Sequence, residues 1–166
     1  MDMHGMAFCG ALAVSVVAAP AVAAPASPDQ DTAIFQAAGL KQVGDHWESG
    51  CNTGNDTPGS TYDPATITDR KDLNGDGRPD AIVTEGGVFC YGNTGQAFWI
   101  VTQQPDGAWK LMTHAIGIPD FLKTKGVGGW PDVLIGGPGI CFPVARWNGK
   151  AYKLIGYSDG DRSCRP

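Results

Sequence analysis

Apolar residues recur at helical spacing near the beginning of the chain, and the pattern disappears afterwards. Within residues 29–40, the apolar positions three and four apart are Ala33, Ile34, Ala37 and Ala38. Asp29 or Asp31 can cap the first turn of a helix here, and Gly39 is a typical stop. This pattern predicts one short helix.

The rest of the chain contains two similar stretches. Residues 79–87 (PDAIVTEGG) align with residues 131–139 (PDVLIGGPG), and each stretch is followed by a cysteine beside a phenylalanine. A strand comes next in each copy, over residues 97–103 and residues 143–147. Residues 41–47 form a fainter third copy. The order of strand, loop, strand, hairpin and strand therefore repeats along the chain.

Each clear copy ends in a hairpin. The turn residues are Asp106-Gly107 in the first copy and Asn148-Gly149 in the second. These dipeptides favour type I′ turns, in which both central residues take positive φ. Two or three copies are too few to close a β-propeller. We therefore expect a mainly β fold, an antiparallel sandwich or partial barrel built from two to three β-hairpin pseudo-repeats, with one short N-terminal helix.

The first two dozen residues have the features of an export signal. Residues 7–19 are apolar and uncharged, and Ala21-Val22-Ala23 fits an A-x-A cleavage site, although no Lys or Arg precedes the run. The predicted organisation is a signal peptide over residues 1–23, a linker over residues 24–28, and a single domain over residues 29–166. We expect a periplasmic or secreted protein.

The composition narrows the possible partners. The chain has 166 residues, a formal net charge of −5 and 24 glycines. A mildly acidic chain with few Lys and Arg is a poor candidate for binding nucleic acid or an anionic membrane surface. No run after the signal is long and apolar enough to span a membrane. We expect one domain, acting as a monomer, with tight turns and short strands.

Four cysteines lie downstream of the predicted signal: Cys51, Cys90, Cys141 and Cys164. An even number in an exported protein predicts two disulfides. A metal site is less favoured, since the sequence has no C-x-x-C pair and no histidine at ligand spacing. The repeat slightly favours pairing equivalent cysteines, Cys90 with Cys141 and Cys51 with Cys164. Pairing within each repeat is the close alternative.

Residues 72–80 (DLNGDGRPD) concentrate oxygen ligands. Positions 1, 3, 5 and 9 of this run are Asp72, Asn74, Asp76 and Asp80, and the main-chain carbonyl of Arg78 falls at position 7. Alternate residues can turn their oxygens towards one hard cation, and the two glycines permit the sharp bend. Three carboxylates in nine residues repel one another without a cation. The run therefore predicts a calcium site, with a metal-free polar turn as the alternative.

The loop is not an EF-hand, because Val83 stands where a bidentate Glu belongs and a strand follows the loop. Over residues 72–87 the sequence resembles the FG-GAP/VCBS repeats of integrin-like β-propellers, whose D-x-(D/N)-x-D-G-x-x-D loop leads straight into a strand. The resemblance implies that Asp72, Asn74, Asp76 and Asp80 bind calcium and that the ion stabilises the fold. In the second copy, residues 126–132 keep only the last aspartate, Asp132.

Candidates for catalysis are few. His46 and His114 lack a neighbouring serine or acid in any known pattern, so each is expected to be a surface or packing residue. Glu85 ends a strand beside two glycines and is expected to be solvated. The glycine-rich residues 136–139 lack the Lys that a phosphate loop needs. Whether the protein is an enzyme is therefore uncertain, and a binding protein is the favoured prediction.

Trp130 and Asp132 are the candidate binding residues. Trp130 lies in a glycine-rich loop where nothing in the sequence indicates burial, and an exposed tryptophan can bind a sugar or a protein. The favoured function is a non-catalytic, calcium-stabilised module that binds a protein or a glycan in the cell envelope. The alternatives are a periplasmic hydrolase that uses Glu85, His114 or Asp132, and a purely structural envelope protein.

Overall fold

The computed structural model describes residue 1, residues 28–51 and residues 61–166. Except for residue 1, the predicted signal peptide lies outside the described residues, and so does nearly all of the predicted linker. Among those described, no helix combines the length and the apolar character that crossing a membrane requires.

Two short helices and ten strands make up the described chain. In chain order they are α1 (Pro28–Ala37), β1 (Lys41–Val43), β2 (His46–Glu48), β3 (Asp63–Lys71), β4 (Asp80–Gly86), α2 (Val88–Tyr91), β5 (Gln96–Gln103), β6 (Trp109–Ile116), β7 (Ile118–Lys125), β8 (Pro131–Gly136), β9 (Phe142–Trp147) and β10 (Tyr152–Ser158). Two single turns of 3₁₀ helix cover Gly92–Thr94 and Val127–Gly129.

The strands form two antiparallel sheets, and the repeat seen in the sequence is a repeat of structure. The first sheet has the order β1-β2-β3-β4-β5-β6 and the second has the order β10-β9-β8-β7. Strands β3 to β6 and strands β7 to β10 are thus two consecutive four-stranded meanders. The fainter third copy contributes only the hairpin β1–β2 at the edge of the first sheet. The prediction of a mainly β partial barrel is confirmed.

Strand β5 of the first sheet is buried on both faces, because its side chains alternate between two cores. Ala97, Trp99 and Val101 face a first core, whereas Phe98 and Ile100 face a second core. The first core lies under α1, and the second lies between the two sheets. Burial on both faces explains why residues 97–101 are apolar without interruption.

Helix α1 begins and ends close to the predicted positions. It covers Pro28–Ala37, and Gly39 follows with a φ of 80°, which a residue without a side chain adopts readily. The helix turns Ile34 and Phe35 into the first core, where the ring of Phe35 stacks on Trp47 with centroids 5.2 Å apart. The predicted helix is therefore confirmed, with an end three residues earlier than residue 40.

The two predicted hairpins are present, but their turn type differs from the prediction. In each turn only the glycine takes positive φ, 85° at Gly107 and 95° at Gly149, and no described residue other than glycine has a positive φ. Instead of adopting positive φ, the side chains of Asp106 and Asn148 accept hydrogen bonds from backbone N–H groups two residues on, at 3.0 Å and 2.9 Å. The side-chain acceptor thus stabilises a turn in which one residue is left-handed, and the type I′ prediction is wrong.

The disulfides join Cys51 to Cys90 and Cys141 to Cys164. The favoured symmetric pairing, Cys90–Cys141 and Cys51–Cys164, is therefore wrong.

Helix α2 lies beside the end of β2, since the Tyr91 hydroxyl is 3.1 Å from that of Ser49. After β10 the chain turns back, and Ser158 pairs both with Phe142 and with Ser163. This return brings Cys164 to the start of β9, where Cys141 lies.

Candidate functional site

The acidic run forms the loop between β3 and β4, which we call the first loop (residues 72–79). Gly75 and Gly77 take left-handed φ values of 84° and 83°, so the sharp bends fall where the sequence provides glycine. The loop leads directly into Asp80, the first residue of β4.

Asp72 organises the first loop from its beginning. Its carboxylate accepts backbone N–H groups from Gly75 at 2.7 Å, Asp76 at 3.2 Å and Gly77 at 2.8 Å. Burial alone would raise the pKa of Asp72, but these donors outweigh it and lower the pKa below the usual range. The loop is therefore shaped around an ionised carboxylate.

Asn74 and Asp76 each close a small turn inside the loop. The Asn74 side chain accepts the N–H of Asp76 at 3.0 Å, and the Asp76 carboxylate accepts the N–H of Arg78 at 2.9 Å. The guanidinium of Arg78 also pairs with Asp76 and donates to the carbonyl of Gln103 at 3.0 Å. Arg78 thus neutralises one of the loop carboxylates.

Asp80 is the buried member of the group, with 1% of its surface exposed. Its carboxylate accepts the N–H of Leu73 at 2.8 Å and a hydrogen bond from Thr102, its partner across the β4–β5 ladder. Burial raises the pKa of Asp80, and the nearby charges of Asp76 and Asp72 raise it further, against the two donors. Asp80 is thus close enough to Asp72 and Asp76 to be repelled by both.

The donor set of the first loop fits a hard cation. It contains three carboxylates, an amide and main-chain carbonyls, which are the oxygen ligands that calcium prefers. The repulsion between Asp80 and its acidic neighbours is what a bound cation would relieve. As they stand, no three His, Cys, Asp or Glu side chains of the described residues converge on one point. Calcium would have to compete with Arg78 for Asp76.

The equivalent segment of the second repeat is the loop between β7 and β8, which we call the second loop (residues 126–130). Trp130 there is only 5% exposed and belongs to the second core with Phe98 and Trp147. Its ring centroid lies 6.4 Å from that of Trp147. The expectation that nothing buries Trp130 is wrong, because the loop folds inward between the two sheets.

Asp132 is 1% exposed, and it pairs with a cation supplied by the chain. The Arg146 guanidinium donates to both carboxylate oxygens, at 2.8 Å and 2.7 Å, and the Thr124 hydroxyl donates to one of them. The hydrogen bond from Arg146 is the main reason that the pKa of Asp132 is lowered. Asp132 is thus a buried structural residue, although the sequence predicted it as a binding residue.

The two loops touch each other. A side chain at Gly129 would overlap the main-chain carbonyl oxygen of Asn74. Tyr152 lies near both buried aspartates, Asp80 and Asp132, and its hydroxyl donates to the carbonyl of Pro131 at 3.0 Å. Burial raises the pKa of Tyr152, and the charges of Asp80 and Asp132 both add to this rise. The first loop therefore contacts both sheets, at the end of the molecule where the second core closes.

Glu85 is buried rather than solvated. It is 1% exposed, and its carboxylate accepts the Tyr62 hydroxyl at 2.6 Å, the Tyr91 hydroxyl, and the N–H of Ser49 at 3.1 Å. Burial raises the pKa of both tyrosines, so both remain hydroxyl donors at neutral pH. The prediction of a solvated strand end is wrong, because α2 folds back over the end of β4. The carboxylate is occupied by donors from the residue after β2, the residue before β3 and the last residue of α2.

The two histidines lie apart from these carboxylates. His46 is on β2, with a ring nitrogen 3.2 Å from Asp45, and His114 is on β6, where its ring stacks on Trp99. Both are surface or packing residues, as their sequence contexts predicted.

A groove separates the two sheets beside the second core. One stretch of about 530 Å³ is lined by side chains of β3, β4 and β7, including Lys71, Thr84 and Phe121. A second stretch of about 380 Å³ shares Thr84 and Gln96 with the first and extends to Asp63. Nothing in the sequence pattern indicated this groove, since it depends on how the two sheets are placed.

The end of the molecule away from the loops exposes apolar side chains next to both disulfides. Phe89, which precedes Cys90, is 80% exposed, and Ile140, which precedes Cys141, is 85% exposed. The two segments are neighbours, because Gly137 lies against Thr94. The repeated pairing of cysteine with an apolar neighbour was visible in the sequence, but the exposure was not.

Comparison with known protein families, curated proteins and solved structures found no match to this chain. The resemblance to FG-GAP/VCBS repeats therefore rests on residues 72–87 alone. The two disulfides are compatible with an exported protein.

Proposed function

We propose that this protein is an exported, calcium-stabilised β module that binds a protein or a glycan of the cell envelope without catalysing a reaction. The observation that carries the proposal is the open groove between the two sheets. Its side chains Thr66, Thr84, Gln96 and Asp120 make no hydrogen bond or ion pair with any other described residue. Concave sites with convergent polar groups are where proteins usually bind ligands.

A binding role is favoured over the hydrolase alternative, because the candidate catalytic residues are engaged by other side chains. A general acid or base must reach its substrate. Glu85 is enclosed by three donors, Asp132 is held by Arg146, and His114 stacks on Trp99. None of these groups lines the groove.

Calcium has a structural role in this proposal. Asp72, Asn74, Asp76, Asp80 and the carbonyl of Arg78 would hold the ion, which supplies positive charge for the loop carboxylates. Because the first loop packs on Gly129 and Leu73 packs on the second core, a fixed loop would hold the two sheets together.

A photo-crosslinking amino acid placed at Thr84 tests the proposal. The full chain carrying it is incubated with cell envelopes of the organism that encodes the protein and is then irradiated. We expect a discrete adduct from Thr84 and none from the same probe at Lys153, an exposed position on β10. No adduct from Thr84, or equal adducts from both positions, would contradict a binding role for the groove.

The apolar end favours a second candidate, a protein partner that contacts Phe89 and Ile140. Exposed apolar patches commonly mark such contacts. A purified partner should bind at least tenfold more weakly to Phe89→Ser than to Ile155→Ser, which removes an exposed apolar side chain from β10. Equal affinities of the partner for the two variants would contradict a contact through Phe89.

A further inference from the structure

We propose that the groove between the sheets binds a linear oligosaccharide of neutral or amino sugars. This inference rests on the proposed binding function and specifies the class of ligand. The groove runs along β4 from Ile82 to Gly86, a length of about 13 Å at the rise of a β-strand. A long open groove suits a chain-like ligand better than a compact one.

The groove offers the groups that bind sugar hydroxyls. On its floor, Thr66 and Thr84 provide hydroxyls, Gln96 provides an amide and Asp63 provides a carboxylate, and Asp120 adds a carboxylate from β7. Within the described chain these five side chains have no hydrogen-bond partner. A sugar hydroxyl both donates and accepts, so it can bond to an amide and to a carboxylate in turn.

One wall of the groove is apolar. Pro119 and Phe121 line it from β7, and Phe121 is also the ring on which the Lys71 ammonium lies, 4.9 Å from the centroid. The C–H faces of a pyranose can pack on such a wall while its hydroxyls reach the polar floor. An apolar wall facing a few placed polar groups is the usual composition of a small-ligand site.

The charge of the groove excludes acidic glycans. Asp63, Asp69 and Asp120 line it against one cation, Lys71, which already pairs with Asp69 at 2.6 Å. The remaining negative charge repels uronic acids and phosphorylated sugars. It attracts the ammonium group of an amino sugar.

A peptide added as a strand is the competing occupant, because β7 is the edge of the second sheet. Pro119 removes a backbone N–H from this edge within the groove. Lys123 and Lys125 are exposed on the same strand, and edge lysines discourage strand addition. The edge is therefore poorly suited to a peptide, and the side-chain floor favours a glycan.

Isothermal titration of the full chain tests the inference with three tetrasaccharides. The probes are β-1,4-linked N-acetylglucosamine, its de-N-acetylated form, and galacturonic acid as the anionic control. We expect the first two to bind and the third to bind at least tenfold more weakly. Gln96→Ala and Thr84→Val should each weaken binding about tenfold, which is one lost hydrogen-bonding group by the usual conversion. Lys153→Ala is the control that should bind like the parent.

Several outcomes would overturn the inference. These are binding of none of the sugars, equal binding of the anionic sugar, and unchanged affinity in both groove variants when circular dichroism shows that they fold. If no sugar binds but the probe at Thr84 captures an envelope protein or peptide, the glycan assignment fails and the proposed binding function stands. If neither experiment gives a signal, both fail.

Discussion

The two loops occupy the same position in two repeats, yet they satisfy their buried aspartates differently. In the first repeat, Asp80 lies opposite Thr102 on the next strand. In the second repeat, the β8–β9 register pairs Val133 with Ala145, and one residue further it places Asp132 opposite Arg146. A neutral hydroxyl thus faces one aspartate, and a guanidinium faces the other.

This difference is matched by the number of acidic residues in each loop. With Arg146 present, Asp132 is neutralised by the chain itself, and the second loop has no acidic residue. With Thr102 present, Asp80 has no internal cation, and the first loop keeps Asp72 and Asp76 close to it. Under our proposal calcium supplies the missing charge. On this proposal, an arginine in one repeat takes the place of the ion in the other, and the strand order is the same in both.

The largest expected effect on stability comes from breaking the ion pair between Asp132 and Arg146. Arg146→Met leaves the buried carboxylate of Asp132 without its cation, and we expect the largest fall in the free energy of unfolding among these variants. Urea denaturation measures the change. The double variant Asp132→Asn with Arg146→Met should recover more than half of the loss, because no charge is then left unpaired. If the single and double variants are equally stable, Arg146 does not act as the cation of the second loop.

A smaller effect is expected where the loops touch. Gly129→Ala introduces a methyl group that overlaps the carbonyl of Asn74 at a φ of 81°, and we expect a loss of about 2 kcal/mol. Gly128→Ala is the matched control, since its φ is 68° and only the edge of Trp130 lies near. The control should cost about half as much. Equal losses from the two variants would show that the contact between the loops contributes nothing.

The dependence of stability on pH gives the smallest effect. The pKa of Asp132 is lowered in the folded state, mainly by its hydrogen bond from Arg146. A lowered pKa stabilises the fold above the unfolded-state pKa, and this contribution is lost as the pH falls through the folded-state pKa. Between about pH 6 and about pH 3, the parent should therefore lose more stability than the double variant Asp132→Asn with Arg146→Met. Parallel losses in urea midpoint would contradict this role for Asp132.

Features that depend on neighbouring residues were predictable from the sequence. Helix α1 follows from apolar spacing and Gly39, and the two meanders follow from the aligned stretches at residues 79–87 and 131–139. The bends of the first loop fall at Gly75 and Gly77, where the spacing placed them. These features are decided by backbone preference and by alternation along a single element.

Features that depend on distant parts of the chain were not predictable. Trp130 is buried by Phe98 and Trp147, and Glu85 is buried because Tyr62, 23 residues away, donates to it. The disulfide pairing depends on the return of the chain after β10. Arg146 gave no signal in the sequence, because its partnership with Asp132 appears only once β8 and β9 are aligned.

The groove was not predictable either, because it depends on how the two sheets are placed. Its floor comes from β3, β4 and the start of β5, and its wall comes from β7 of the other sheet. The sequence of each strand alone indicates only an ordinary polar face.

Calcium titration of the full chain by calorimetry measures whether the first loop binds an ion. We expect one ion per chain, with a dissociation constant on the order of 10⁻⁴ to 10⁻³ M, as in extracellular modules. Asp76→Ala should abolish binding and the accompanying rise in melting temperature. The double variant Asp132→Asn with Arg146→Met should still bind one ion. Failure of the parent to bind at millimolar calcium, or unchanged binding by Asp76→Ala, would contradict the account.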